Sequence, residues 1–184
     1  MQTDRGQVRQ EFGRRLLQHL DALFGFALVL TRSQAEAEDL IQQTYVQALE
    51  DPDRFQEGTN MKAWLLAILR NLWINQKRAE GIREYVLFEE EEPQSNFTSP
   101  PDSPEMNLQR KMDRMKIRRA IEGLSEIHRE VVVLRDLQGL SYREIADVLS
   151  CPIGTVMSRL GRAHAELREK LRVLMHVTKR EKLT

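Results

Sequence analysis

The chain has 184 residues, of which 41% are apolar and 30% are charged, a composition typical of a soluble globular protein with one or two domains. The apolar run from Leu23 to Leu30 is far shorter than the ~18 residues that cross a bilayer, and no leader precedes it. We therefore expect a cytoplasmic protein without membrane insertion. A single cysteine excludes an internal disulfide, and four scattered histidines lack zinc spacing, so neither a metal nor a cofactor is expected.

Charge is distributed unevenly, although the formal net charge is zero. Residues 155–184 contain eight basic and three acidic side chains, whereas residues 81–110 contain two basic and seven acidic ones. A basic end region indicates a partner that carries phosphate, such as a nucleic acid.

The acidic middle of the chain predicts a linker between two domains. Residues 81–110 contain four of the six prolines, several serines and no helical apolar period. Apolar residues recur at helical spacing on both sides, and strand-like alternation is absent. The predicted fold is all-α: a helical domain over 8–80, a flexible acidic Pro/Ser-rich linker over 81–110, a second helical domain over 111–176 and a basic tail over 177–184.

In the N-terminal domain the spacing predicts three helices. The first runs from about Phe12 to Leu30, and Thr31 or Ser33 can cap the next one. The second begins near Ala35 and has one apolar and one polar side. After a loop that extends to Asn60, a third helix spans 61–78 and is apolar almost all round, which predicts that it is the most buried.

In the C-terminal domain the pattern predicts a helix-turn-helix. Ser141 and Glu144 form a capping box that opens one helix, which ends near Leu149. A turn at Ser150–Pro152 leads into a long last helix that begins at Ile153 or Gly154.

The start of that last helix carries the side chains suited to a DNA groove. Arginine can bridge two acceptors of guanine or bind phosphate, and hydroxyls can do either. Arg143 on the preceding helix is placed to contact phosphate. An ordinary solvated, arginine-rich helix face is the alternative. The candidate DNA-reading residues are Thr155, Ser158, Arg159 and Arg162.

Two stretches resemble the conserved regions of one family. Residues 124–171 (LSEIHREVVVLRDLQGLSYREIADVLSCPIGTVMSRLGRAHAELREKL) resemble region 4 of sigma factors, which reads the minus-35 promoter element. Residues 35–78, with AEDLIQQTYVQAL and MKAWLLAILRNLWINQKR, resemble region 2 of extracytoplasmic-function sigma factors. The resemblance implies a promoter-specificity subunit, not an enzyme, that serves a specialised, stress-response regulon. Its implied partners are core RNA polymerase (β′ clamp and β flap), promoter DNA and an anti-sigma factor.

The same resemblance implies roles for residues of the N-terminal domain. The polar face of the second helix would dock on the β′ clamp: Asp39, Gln42, Gln43 and Gln47. The loop 54–60 and the third helix would open the minus-10 DNA, with Phe55 stacking on a base and Asn60 and Asn71 bonding base edges. Trp64 and Trp73 are expected in the core. The expected phosphate contacts are Lys62, Arg70, Lys77 and Arg78.

Three positions depart from the family pattern. Gln43 stands where a glutamate is common, Asn75 where an aspartate is, and Met157 where a lysine is. Two other functions remain open: a stand-alone helix-turn-helix regulator with an unrelated sensor domain, and a sigma mimic that titrates an anti-sigma factor.

The linker length sets an expectation for the unbound chain. Thirty residues of coil average roughly 30 Å end to end and stretch to about 100 Å. Promoter elements roughly 20 base pairs apart lie about 70 Å from each other. We therefore expect closely paired domains, and poor promoter binding, until polymerase holds the domains apart.

Overall fold

The structure of the chain is a computed structural model. It describes the backbone of residues 2–81 and 107–181, and the side chains of residues 10–81 and 113–174. Within these ranges the chain forms eight α-helices and no strand, which confirms the all-α prediction. Most of the predicted linker lies outside the described residues, although its last four residues, 107–110, already belong to a helix. No helix in the described ranges is long and apolar enough to cross a membrane.

The N-terminal lobe consists of four helices: α1 (Gln2–Leu17), α2 (Leu20–Thr31), α3 (Gln34–Glu50) and α4 (Met61–Ala79). A short 3₁₀ turn, Pro52–Arg54, lies in the loop between α3 and α4. The prediction of one helix from Phe12 to Leu30 was wrong, because the helix is interrupted between α1 and α2. At this interruption the backbone N–H of His19 donates to the carbonyl of Leu16 at 3.0 Å, which closes a turn between the two helices.

Helix α4 is the centre of this lobe. Met61, Leu65, Leu66, Leu69 and Trp73 are buried along it, so the prediction that it is the central helix holds. Its first turn is capped by Asn60, whose side-chain oxygen accepts from the backbone N–H of Ala63 at 3.3 Å.

The C-terminal lobe contains α5 (Asn107–Glu122), α6 (Glu126–Val132), α7 (Tyr142–Leu149) and α8 (Ile153–Glu181). A buried arginine, Arg129, fixes the turn from α5 to α6 by donating to the carbonyls of Ile121, Glu122 and Leu124. Helix α6 continues into a π-helical turn, Val133–Leu137, and Gly139 leaves it with a left-handed φ of 69°.

The helix-turn-helix is formed by α7 and α8. The capping box is present: Ser141 Oγ accepts from the N–H of Glu144 at 3.3 Å, and Glu144 Oε2 accepts from the N–H of Ser141 at 2.7 Å. Ser150 ends α7 in the left-handed conformation at φ 50°. Helix α8 extends through Glu181, so part of the predicted basic tail is helical.

The two lobes pack against each other. Helix α4 contacts α7, and α2 contacts α6. The buried apolar residues of both lobes belong to one continuous cluster, which runs from Phe12 to Ala163. The structure therefore has the close pairing of domains that the short reach of a relaxed linker predicts.

Candidate nucleic-acid interface

The first turns of α8 present polar side chains on the side opposite the core. Val156, Leu160 and Ala163 are buried beneath them. Ser158 and Arg162 are exposed, Thr155 and Arg159 are partly exposed, and Arg143 is exposed on α7. Two backbone hydrogen bonds close the first turn of α8: the N–H groups of Thr155 and Val156 both donate to the carbonyl of Pro152, at 2.9 and 3.2 Å. This arrangement can present hydroxyls and guanidinium groups to a DNA groove.

Two apolar residues share this surface. Ile153 is 49% exposed and Met157 is 55% exposed, four residues apart on α8. Exposed alkyl groups at the start of a recognition helix can contact the methyl group of thymine. From the sequence, Met157 was singled out only because it replaces a lysine that is common in the family. Ile153 was not identified as a candidate, although its position on the exposed face of the helix could have indicated it.

Most of the candidate minus-10 residues lie on α4 or directly before it. Three of them, Asn60, Lys62 and Arg70, contact the C-terminal lobe. Asn60 uses its side-chain oxygen to cap α4 and its Nδ2 to donate to Glu144 Oε1 at 2.6 Å. Glu144 in turn belongs to the capping box of α7. One amide and one carboxylate thus join the starts of two helices from different lobes.

Lys62 and Arg70 extend this contact along α4. Lys62 Nζ donates to the carbonyl of Gln138 at 2.5 Å. Arg70 Nε donates to Glu130 Oε2 at 3.0 Å, and its Nη1 donates to the carbonyl of Leu149, the last residue of α7, at 3.3 Å. A cation beside the C-terminal carbonyls of a helix is favourable. The π-helical turn positions Gln138, whose Nε2 also donates to the carbonyl of Ala22 in α2 at 3.3 Å.

The two carboxylates of this contact have shifted pKa values in opposite directions. Burial raises the pKa of Glu130 above its ordinary value, and the nearby Arg70 only partly offsets that effect. Slight burial also acts to raise the pKa of Glu144, but the hydrogen bonds from Ser141 and Asn60 and the charge of Lys62 outweigh it, so this pKa is lowered. Glu144 is therefore an ionised acceptor at neutral pH.

Phe55 does not lie where the prediction required it. Its ring is only 6% exposed and packs against Phe12 and Trp64, at centroid distances of 6.2 and 5.4 Å. In this structure the ring belongs to the core of the N-terminal lobe, because it closes the loop before α4 over α1, and it is not available to stack on a base. Trp64 is partly buried in the same cluster and Trp73 is buried, as expected for core residues.

The remaining candidates on α4 lie beyond the contact with α7. Asn71 and Arg78 are exposed. Lys77 lies over the ring of Trp73, with Nζ 4.3 Å from the centroid, and pairs with Glu80 at 2.9 Å. The structure thus divides the minus-10 candidates on and beside α4 into a group bonded to the C-terminal lobe, Asn60, Lys62 and Arg70, and a second group formed by Asn71, Lys77 and Arg78.

A shallow groove on α3 contains the four candidate polymerase contacts. Asp39, Gln42, Gln43 and Gln47 are all exposed there. Val46 lies among them with 56% of its surface exposed, and Gln43 accepts from Gln76 Nε2 of α4 at 2.9 Å. Val46 therefore gives this polar groove an exposed apolar centre, and the sequence analysis did not identify it because only the polar side chains of the helix were considered there. Glu50 and Leu72 complete the lining.

Comparison with protein families matches both lobes. The family described as Sigma-70 region 2 matches residues 16–82, and the one described as Sigma-70, region 4 matches residues 114–167. Because the N-terminal lobe matches Sigma-70 region 2, it is not an unrelated sensor domain. This match excludes the stand-alone helix-turn-helix regulator as an alternative function. Members of this family are transcription initiation factors and not enzymes.

Relatives agree over nearly the whole chain. The ECF RNA polymerase sigma factor EcfG of Rhodopseudomonas palustris is 32% identical over 88% of this chain and 83% of its own. The ECF RNA polymerase sigma-E factor of Escherichia coli is 32% identical over 74% of both chains. Among solved structures, the sigma factor RpoE of Bartonella quintana, in complex with the anti-sigma factor NepR, has a TM-score of 0.69 and 35% identity, covering 89% of this chain and 98% of that one. The chain therefore belongs to the extracytoplasmic-function group of the sigma-70 family of RNA polymerase sigma factors.

Proposed function

We propose that this protein binds core RNA polymerase through the α3 groove and directs it to promoters of a specialised, stress-response regulon in the cytoplasm. The helix-turn-helix reads the minus-35 element, and α4 with its preceding loop binds and opens the minus-10 element. The observation that carries this proposal is the surface at the start of α8, where Ser158 and Arg162 are exposed and Arg159 is partly exposed, on a helix pair that begins with a capping box.

The residue roles follow from accessibility. Arg159, Arg162 and Ser158 are proposed for base and phosphate contacts in the minus-35 element, with Thr155 and Arg143 at its edges. Asn71, Lys77 and Arg78 are proposed for the minus-10 strand, together with Asn60, Lys62 and Arg70, whose contacts with the C-terminal lobe would first have to break.

The direct test is transcription in vitro on a library of random upstream DNA, with core polymerase alone, with the wild-type chain, and with a variant that combines Arg159→Ala and Arg162→Ala. Transcript starts that need the wild-type chain and share two spaced elements are the expected result. The double variant should lose starts that depend on the upstream element. The absence of any start that depends on a folded wild-type chain would contradict the proposal.

A sigma mimic is the second candidate. The anti-anti-sigma factor PhyR of Bartonella quintana, solved with the anti-sigma factor NepR, shares the fold with a TM-score of 0.50. Its identity to this chain is 15%, which supports a common fold and no more. A mimic would bind an anti-sigma factor but would give no transcript with core polymerase, so the same assay separates the two functions.

We also propose an anti-sigma partner for this chain, since the RpoE relative was solved with one. Affinity capture of the tagged chain from its own cells, before and after stress, is the test. A stoichiometric partner other than polymerase that is released by stress is expected. Capture of polymerase alone under every condition would contradict this part of the proposal.

A further inference from the structure

The loop before α4 ends in a turn whose residues, 56–60, are all exposed. The backbone N–H of Thr59 donates to the carbonyl of Gln56 at 3.1 Å, and Thr59 Oγ1 donates to the same carbonyl at 2.6 Å. Gly58 is the third residue of this turn and has a left-handed φ of 87°, which glycine adopts without strain. Glu57 therefore lies at the tip of a closed turn that faces solvent.

Helix α1 holds the tip of this turn. Arg15 Nη1 donates to Glu57 Oε1 at 2.7 Å, and Arg15 Nη2 donates to Glu57 Oε2 at 3.1 Å, so the ion pair is bidentate. The same guanidinium group lies 5.6 Å from the centroid of the Phe55 ring, and that ring packs against Phe12, one turn before Arg15 on α1. The loop is therefore attached to α1 at two neighbouring points, an aromatic contact and an ion pair.

The ion pair acts on the geometry of the loop more than on the stability of the lobe. The side chains of Arg15 and Glu57 are 37% and 69% exposed. Exposed ion pairs add little to the free energy of unfolding, because water and salt screen them. Two parallel N–H···O bonds nevertheless fix the orientation of the two groups relative to each other. The pair therefore sets the position of the turn on α1.

The turn leads directly into the candidate minus-10 residues. Asn60 follows Thr59 and caps α4 through its side-chain oxygen. A loop that is already ordered binds its ligand better, because ordering it during binding costs free energy. The hydrogen bond from Arg15 lowers the pKa of Glu57, so the carboxylate is ionised at neutral pH. Without the guanidinium group beside it, this charge would repel the phosphates of a bound strand.

We propose that Arg15 is a positioning residue for recognition of the minus-10 element: it holds the turn 56–60 through Glu57 and contacts no base itself. The inference rests on the proposed function, which assigns the loop before α4 to the minus-10 element. Through this residue α1, a helix outside both candidate DNA surfaces, contributes to promoter specificity.

The experiment measures base preference at both promoter elements. The full chain and core polymerase transcribe a library in which the minus-10 and minus-35 elements are randomised, and the transcript starts are sequenced. The variants are Arg15→Gln, Glu57→Gln and the combination of both. Arg14→Gln is the matched control, because Arg14 pairs with Glu11 of the same helix.

We expect each single variant to lower the preference for the best minus-10 bases by about threefold or more, while the preference at the minus-35 element stays at the wild-type value. The combined variant should show no larger loss than Arg15→Gln alone, because both substitutions remove the same pair. Arg14→Gln should match wild type at both elements. Glu57→Gln changes the pair without altering α1, so it decides the outcome if Arg15→Gln does not fold.

A purely structural role of Arg15 predicts a different result. A less stable N-terminal lobe would lower the number of starts at all promoters and would leave both base preferences unchanged. That result would overturn the proposal, as would an equal loss of minus-10 preference in Arg14→Gln. The absence of any start that depends on the wild-type chain would indicate failure of the proposed function. Wild-type starts that share two elements, with an unchanged minus-10 preference in the variants, would indicate failure of this inference alone.

Discussion

The two candidate DNA surfaces of this protein differ in accessibility. On the first turns of α8, Ser158 and Arg162 are exposed, whereas on the first half of α4, Lys62 and Arg70 are bonded to the other lobe. The first surface is built from local features, a capping box and a tight turn. The second depends on contacts between residues 60 or more positions apart. The first candidate surface is therefore accessible in the packed arrangement, whereas part of the second is bonded to the other lobe.

The largest expected effect comes from the exposed surface. A variant combining Arg159→Ala and Arg162→Ala should weaken binding to duplex DNA carrying the minus-35 element by about 1–3 kcal/mol for each base contact that the substitutions remove. Fluorescence anisotropy of the labelled duplex, with the chain bound to core polymerase, measures this change in affinity. Arg168→Ala, at an exposed position further along α8, is the control, and an equally weakened affinity in that control would show that only general charge is involved.

The α3 groove should be accessible to polymerase while the two lobes are packed against each other. Val46→Glu places a charge at the exposed apolar centre of the groove and should weaken binding to core polymerase by more than about 1 kcal/mol, as truncation of the minority of interface residues that matter for binding does. Gln18→Glu adds the same charge at an exposed site outside the groove and should have no effect. Equal polymerase affinity of both variants in a titration would place the docking surface elsewhere.

The capping box tests how local features support the exposed surface. Glu144→Ala removes the acceptor for Ser141 N–H and for Asn60, and should lower the free energy of unfolding at pH 7 by about 1 kcal/mol. Glu144→Gln retains an acceptor oxygen and should be less destabilised. Urea denaturation of the three chains measures both changes, and equal destabilisation of the two variants would contradict this role.

The effect of Glu144 should also depend on pH. Its pKa in the folded chain is lowered from the ordinary value of 4.5, so the unfolded chain binds its proton more tightly. The stability from the carboxylate is therefore present above that value and is lost as the pH falls through the lowered pKa. The difference in the free energy of unfolding between wild type and Glu144→Ala should therefore shrink in acid. A difference that grew in acid would contradict a lowered pKa of Glu144.

The smallest effect concerns the apolar residue on the recognition helix. Met157→Lys places a cation at an exposed position beside Ser158 and should add one phosphate contact. The salt dependence of duplex binding, as the slope of log K against log salt, should then steepen by about 0.9. Val173→Lys, at a 52% exposed position further along α8, is the matched control, and an equal change there would indicate nonspecific attraction.

The sequence predicted features that depend on neighbours along the chain. The capping box of Ser141 and Glu144, the turn at Ser150 and the extent of α7 all follow from side chains a few residues apart. Helical spacing also predicted the central position of α4. Spacing could not reveal the interruption at His19, because the apolar period continues across it, with Leu16, Leu23 and Ala27 buried on either side.

Contacts between distant segments were beyond that reasoning. Phe55 looked like a loop residue available for stacking, but Phe12 and Trp64 enclose it. The partners of Lys62 and Arg70 lie 76 and 60 residues away, so no local pattern could identify them. One feature of the sequence did indicate such a contact. A helix that is apolar almost all round must be covered on more than one side, and the C-terminal lobe covers one side of α4.

The separation of the two lobes on binding polymerase tests the central claim most directly. In a chain that carries dyes on Gln18→Cys and Ala165→Cys, two exposed positions, in a Cys151→Ser background, energy transfer should report a short distance for the unbound protein. Addition of core polymerase should lengthen it towards the roughly 70 Å that separates two promoter elements about 20 base pairs apart. An unbound chain whose distance already equals that of the polymerase complex would contradict the account, because the start of α4 would then never have been covered.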